Sequence, residues 1–126
     1  MIFNLQVPIL GFDDIKQVEL TKIDDIFMKM QSTEDANISF TLINPFVLTE
    51  YDFEIPDNVQ KLLEVDEKSN LLIMNIVILQ NPPQESIVNF VAPIVFNTDN
   101  KKAAQIVIDE ATTYGLAEKV STFLNK

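Results

Sequence analysis

The sequence predicts an all-β domain, a small antiparallel β barrel or sandwich with one or two short helices, and three observations predict it. Leu71 to Leu79 is apolar at every position except Asn75. Periodicity cannot separate such a run from a buried helix, but its short length and its β-branched Ile73, Ile76, Val77 and Ile78 favour a strand buried on both faces. From Val88 the even positions Val88, Phe90, Ala92, Ile94 and Phe96 are all apolar while the odd ones are mixed, the period of a strand with one buried face. Short alternating stretches separated by turn residues recur upstream, the pattern of a barrel or sandwich.

Taken in order, Phe3, Leu5 and Val7 alternate with polar residues as a first strand. Pro8 to Asp14 breaks it, and Gly11 is placed where φ must be positive. Val18 and Leu20 mark a second strand, and Asp24-Asp25 a turn. Ile26, Met28 and Met30 form the inward face of a third strand, and Ala36, Ile38, Phe40 and Leu42 that of a fourth. Asn44-Pro45-Phe46 interrupts. Glu50 to Ile55 alternates again, with Tyr51, Phe53 and Ile55 on one face and Glu50, Asp52 and Glu54 on the other. Pro56 and Asp57 open a short helix over 57–65, with Val59, Leu62 and Leu63 at helical spacing, covering one mouth of the sheet. After Leu79, Pro82-Pro83 stops the ladder. Pro93 marks an edge or bulge in the following strand. Asn97 to Lys101 is turn chemistry, because Asn and Asp tolerate positive φ. Ala103 to Ile108 returns as a hairpin partner with Ala104, Ile106 and Ile108 inward. Leu116, Val120, Phe123 and Leu124 are spaced as an amphipathic C-terminal helix, which packs on its own sheet or docks a partner.

Composition narrows the function. A chain of 126 residues reads as one domain, 1–126, large enough for a proper core. Nineteen acidic side chains stand against nine lysines, with no arginine, for a formal net charge of −10. Phosphate recognition rests on Lys and above all Arg, so direct nucleic-acid binding and an anionic membrane surface are both disfavoured. A basic protein partner would be attracted, although the charge also serves simple solubility. With no histidine and no cysteine, His-based triads, imidazole or thiolate metal sites and disulfides are excluded. No Gly-rich phosphate loop or calcium loop is present, and no cofactor is expected. The opening Met1-Ile2-Phe3-Asn4 has no basic n-region, which points to the cytoplasm.

Carboxylate pairs occur at Asp13/Asp14, Asp24/Asp25 and Glu50/Asp52. Two facing acids run glycoside chemistry, but acidic pairs in turns are more often solvated, and the chain has no tryptophan to line a sugar cleft. The reading is therefore not an enzyme. The Glu50–Asp52–Glu54 face is either solvated or a contact for a basic partner; like charges at this spacing repel by only about 0.5 kcal/mol per pair in water. Met28, Met30 and Met74 read as core filler.

Several segments together resemble the flagellar assembly factor FliW family: Pro8-Ile9-Leu10-Gly11-Phe12 followed by acid, Asn44-Pro45-Phe46, Tyr51 to Pro56, and Val88 to Asn97 continuing into Asn100-Lys101 and Ala104 to Val107. Their order and spacing carry the match across residues 8–109. The resemblance implies a β-barrel-like, non-catalytic cytoplasmic protein, monomeric when free, that binds flagellin and the RNA-binding translational regulator CsrA. It implies that CsrA is antagonised allosterically, coupling flagellin translation to export; the alternative is a flagellin-specific chaperone without CsrA regulation. The amphipathic ends of flagellin would need an apolar groove with polar anchors. The candidates are Phe12 in its loop and Asn44-Pro45-Phe46, with Phe46 either a partly exposed anchor or a buried staple. Glu50, Asp52 and Glu54 are the candidate face for a basic partner.

Overall fold

The computed structural model describes residues 1–51, 53–108, 115 and 117–124, the Leu124 side chain apart. Its strands are β1 (Ile2–Val7), β2 (Gln17–Lys22), β3 (Phe27–Ser32), β4 (Ser39–Ile43), β5 (Leu71–Ile78), β6 (Ile87–Val88), β7 (Ile94–Asn97), β8 (Lys102–Gln105) and β9 (Glu118–Lys119), with helices α1 (Asp57–Leu63) and α2 (Ser121–Leu124). They form one sheet in the order β4-β3-β2-β1-β8-β7-β5-β6-β9, and β4 also pairs with β5. That extra pairing closes seven strands into a barrel, with β6 and β9 continuing outside the ring.

One feature departs from the expected antiparallel barrel: β1 and β8 run parallel. Their register slips by one residue between Leu5 and Val7, and a one-residue slip reverses which face a side chain takes. Leu5 accordingly packs on the cluster inside the barrel and Val7 on a cluster outside it.

The core has three parts. Inside the barrel lie Phe3, Ile9, Ile15, Val18, Leu20, Met30, Leu42, Met74, Ile94, Phe96 and Ala103, with Phe3 edge-on to Phe96 at 5.0 Å between ring centres. Each such aromatic side chain stabilises by about 1.5–3 kcal/mol through burial. Outside, α1 lays Val59 and Leu63 over Val95, Ala104 and Ile106. A second outer layer joins Ile43, Val77, Val88 and Phe90 to Val120 and Phe123. Leu48 and Tyr51 pack on the second outer layer while Phe53 and Ile55 pack on the first, so the segment between them straps the two together.

α1 begins at Asp57 as expected, but it covers the outer wall of the barrel rather than a mouth. Only Val59 and Leu63 are buried along it; Leu62 faces solvent. Its end is held by side chains: Asn97 and Asn100 both donate to the Leu63 carbonyl, at 2.8 and 2.9 Å. Lys102 reaches Glu64 at 2.9 Å.

Other expectations are corrected locally. Ile26 and Ala36 are exposed, because β3 and β4 begin after them, although Met28, Met30, Ile38, Phe40 and Leu42 do face the interior. The described residues of the Glu50–Ile55 run, 50, 51 and 53–55, belong to no strand. The single strand expected from Val88 is two, β6 and β7, broken over residues 89–93; its even positions are nonetheless all buried. Asn89 causes the break by turning back on itself, its side chain accepting from the Val91 and Ala92 amides. Gly11 does take φ +85°, but in the β7–β8 turn the positive φ falls on Lys101 rather than on Asn or Asp. The C-terminal helix is four residues, preceded by β9, which pairs with β6. Val120 and Phe123 pack on the barrel; Leu116 and the Leu124 side chain lie outside the described residues.

Candidate functional site

The end of β4 builds an exposed apolar shelf from the candidate residue Phe46 and its neighbour in sequence, Val47. Asn44 follows Ile43, donates its amide to the Ile26 carbonyl at 3.2 Å and accepts from the Phe46 amide through Oδ1 at 3.0 Å. That side-chain cap starts a 3₁₀ turn over Pro45–Val47, with Pro45 at its first position and buried. A turn this tight sends consecutive side chains outward. Phe46 and Val47 are 51% and 50% exposed, so Phe46 is no buried staple.

Next to this shelf the strap begins. Tyr51 lies with its ring 6.1 Å from Phe46, 5.4 Å from Phe53 and 5.3 Å from Phe90, and its hydroxyl donates to the Phe90 carbonyl. Phe90 in turn meets Phe123 at 5.5 Å. An aromatic row thus runs from solvent at Phe46 to the buried side of α2. Glu50 and Glu54 are exposed, and Tyr51, Phe53 and Ile55 are half-buried, so the alternation read from the sequence is real without a β ladder. Asp52 lies outside the described residues.

Phe12 sits elsewhere. It is 37% exposed and packs edge-on against Phe40 at 5.0 Å, by the inner cluster, whereas Phe46 adjoins the outer layer under Tyr51. The Pro8–Phe12 loop is pinned by Gln105, whose Oε1 accepts from the Leu10 amide at 2.7 Å and whose Nε2 donates to the Ala92 carbonyl at 3.2 Å. The candidate residues therefore form two apolar spots attached to different clusters, not one groove.

The Asp13/Asp14 and Asp24/Asp25 pairs lie in turns and bends. Asp24 accepts from the Ile26 and Phe27 amides, each at 2.8 Å, and these bonds hold its carboxyl below the ordinary 3.8. Asp25 pairs with Lys22 at 3.4 Å. Among the described residues no cluster of three or more acidic side chains is placed to hold a metal ion, and no helix is long and apolar enough to cross a membrane.

The residues that shape the site, Tyr51, Asn75 and Gln105, are polar groups turned inward. Asn75 had a signal in the sequence as the lone polar residue of the Leu71–Leu79 run; Gln105 had none. Burial pushes the Tyr51 phenol above its ordinary 10.0. The folded state thus holds this proton more tightly than the unfolded chain does. The associated stability is fully present below pH 10 and is lost as pH rises through the folded value. Thermal melts are expected to fall more steeply above pH 10.0 in the unaltered protein than in Tyr51→Phe.

A small, closed barrel that carries an exposed aromatic shelf beside acidic side chains defines a class: a small β-barrel domain with exposed connecting loops. Comparison with known proteins makes that specific. The family model described as FliW protein matches residues 1–120, extending the resemblance on both sides of 8–109. The flagellar assembly factor FliW of Sulfurimonas denitrificans is 63% identical over 126 residues, the full length of both chains. Flagellar assembly factor FliW 2 of Wolinella succinogenes is 47% identical over 127 residues, covering 99% of this chain and 93% of that one. A crystal structure of the flagellar assembly factor FliW superposes with a TM-score of 0.88 at 25% identity, over 94% of this chain and 84% of the other. The chain belongs to the FliW family of flagellar assembly factors.

Proposed function

We propose that this flagellar assembly factor is a regulatory binding protein that engages flagellin and the translational regulator CsrA, and that it antagonises CsrA allosterically so that flagellin synthesis follows export. In this reading it acts in the cytoplasm, monomeric when free, by contact and without catalysis. The observation that carries the reading is the juxtaposition of the half-exposed Phe46 and Val47 with the exposed Glu50 and Glu54 in a member of this family. An amphipathic helix of flagellin docks through apolar anchors, and Phe46 is a rigid aromatic one held by its own turn. CsrA is met differently. A body of charge −10 bound beside the path of the RNA phosphates raises RNA dissociation without occupying the RNA site, an effect that salt weakens.

Calorimetric titration against flagellin and CsrA, singly and together, tests this. Phe46→Ala should weaken flagellin binding by about 10- to 100-fold. Neutralising Glu50, Asp52 and Glu54 to Gln should weaken CsrA binding and flatten its salt dependence. Unchanged affinity for both partners in folded variants would sink the assignment, and binding to flagellin alone would leave a chaperone without regulation.

A further inference from the structure

Asn75 is an expensive residue for its place. It is fully buried in an otherwise apolar stretch of β5, and its Oδ1 has no hydrogen-bond partner among the described residues. A buried acceptor left unpaired costs stability, and an apolar side chain of the same size would avoid that cost. What the amide contributes is its donor. Nδ2 bonds the Asn89 carbonyl at 2.8 Å and the Tyr51 hydroxyl at 3.4 Å. The orientation is set, because the flipped amide would turn Oδ1 onto that carbonyl.

The place of this junction in the fold is specific. On one edge of β5 the ladder with β7 ends at Met74 and the ladder with β6 begins at Val77, so Asn75 stands in the gap. On the other edge its register partner is Ile43, the last residue of β4 before the Asn44–Val47 turn. The Tyr51 hydroxyl, which also donates to the Phe90 carbonyl, carries the junction outward to the strap. The described residues of the strap, 50, 51 and 53–55, belong to no strand that would fix their height above the barrel, and the shelf rests against the Tyr51 ring.

We infer that Asn75 and Tyr51 are positioning residues for partner binding: the buried amide and the phenol together fix Phe46 and the Glu50–Glu54 strap in the geometry a partner meets. The inference rests on the proposed binding role of that surface. Neither residue need touch the partner.

The test uses the full-length protein, purified flagellin as probe, and three variants. Tyr51→Phe keeps the ring and removes the hydroxyl; Asn75→Leu removes the amide at similar size. Val18→Ala, inside the barrel on β2, supplies a loss of stability away from the junction. Tyr51→Phe and Asn75→Leu should each lower flagellin affinity about tenfold and speed amide hydrogen exchange across residues 46–55, while Val18→Ala leaves both unchanged. The double variant should be no weaker than the poorer single one, because the two act as a unit. If both variants fold and bind flagellin as the unaltered protein does, with exchange over 46–55 unchanged, the inference is overturned while the binding role stands. If Phe46→Ala and the unaltered protein bind alike, the binding role of the shelf fails first, and the inference with it. Should one variant fail to fold, the other decides by the same two readings.

Discussion

Phe90→Ala lowers the stability of this protein by about 3–5 kcal/mol, the usual cost of removing a buried phenylalanine. Phe90 has no solvent exposure, and it lies outside the barrel wall, where rings from different parts of the chain meet it, among them Tyr51 at 5.3 Å and Phe123 at 5.5 Å. The void left by its ring cannot be closed by one neighbour moving, since Tyr51 is tied to the residue 90 carbonyl and Val120 and Phe123 are tied to β6 through β9. For a chain of 126 residues the loss corresponds to a fall in melting temperature of about 10–20 °C. Urea unfolding followed by far-UV circular dichroism measures it. A loss below about 1 kcal/mol would mean that the outer layer collapses freely onto the gap.

Gln105→Ala should cost about 2–4 kcal/mol, although the residue looks unremarkable in sequence. Gln105 is buried, and both ends of its amide are used, one on the Leu10 amide and the other on the Ala92 carbonyl. Alanine leaves two backbone groups without partners, each worth about 1–3 kcal/mol when buried; Leu10 lies nearer water and contributes the lesser share. The loss has a local signature. Hydrogen exchange at Leu10 and its loop should accelerate more than exchange in β2 and β3, because the glutamine links residues 95 positions apart. Uniform acceleration throughout the barrel would show instead that the loop has no independent motion.

Periodicity read the fold well where each strand has one wet face. β2 buries Val18 and Leu20 as alternation assigns them, because a strand with solvent on one side must segregate its residues; β1 follows it only as far as Leu5, since Val7 turns outward after the register slip. It failed where backbone chemistry competes. The Val88–Phe96 run kept its alternation of burial, yet Asn89 folds its side chain onto its own backbone and breaks the ladder, a choice that hydropathy does not register. The Glu50–Ile55 run alternates as sharply as any strand, but Glu50 and Glu54 meet water and Tyr51, Phe53 and Ile55 meet the two outer clusters rather than a neighbouring strand. α1 was legible from its start signals; which surface it covers was not, since Val59 and Leu63 would suit any apolar wall. At the candidate site, the exposed Phe46 and Phe12 were visible as types in loops, while Tyr51, Asn75 and Gln105 act through hydrogen bonds across 13 to 95 positions, and no local window contains both partners. The parallel pairing of β1 with β8 was likewise invisible, because strand direction is set by which edge remains free when the chain returns.

That pairing sets a schedule for a chain leaving the ribosome. The first four strands form a meander as they emerge, but its two outer edges stay bare: β4 waits for β5, and β1 waits for β8. About 60 residues separate the end of β4 from the end of β8, and at roughly 5–20 residues per second their synthesis takes on the order of several seconds. Through that interval the nascent meander offers two unpaired β edges to any extended segment nearby, and only delivery of Lys102–Gln105 seals the ring.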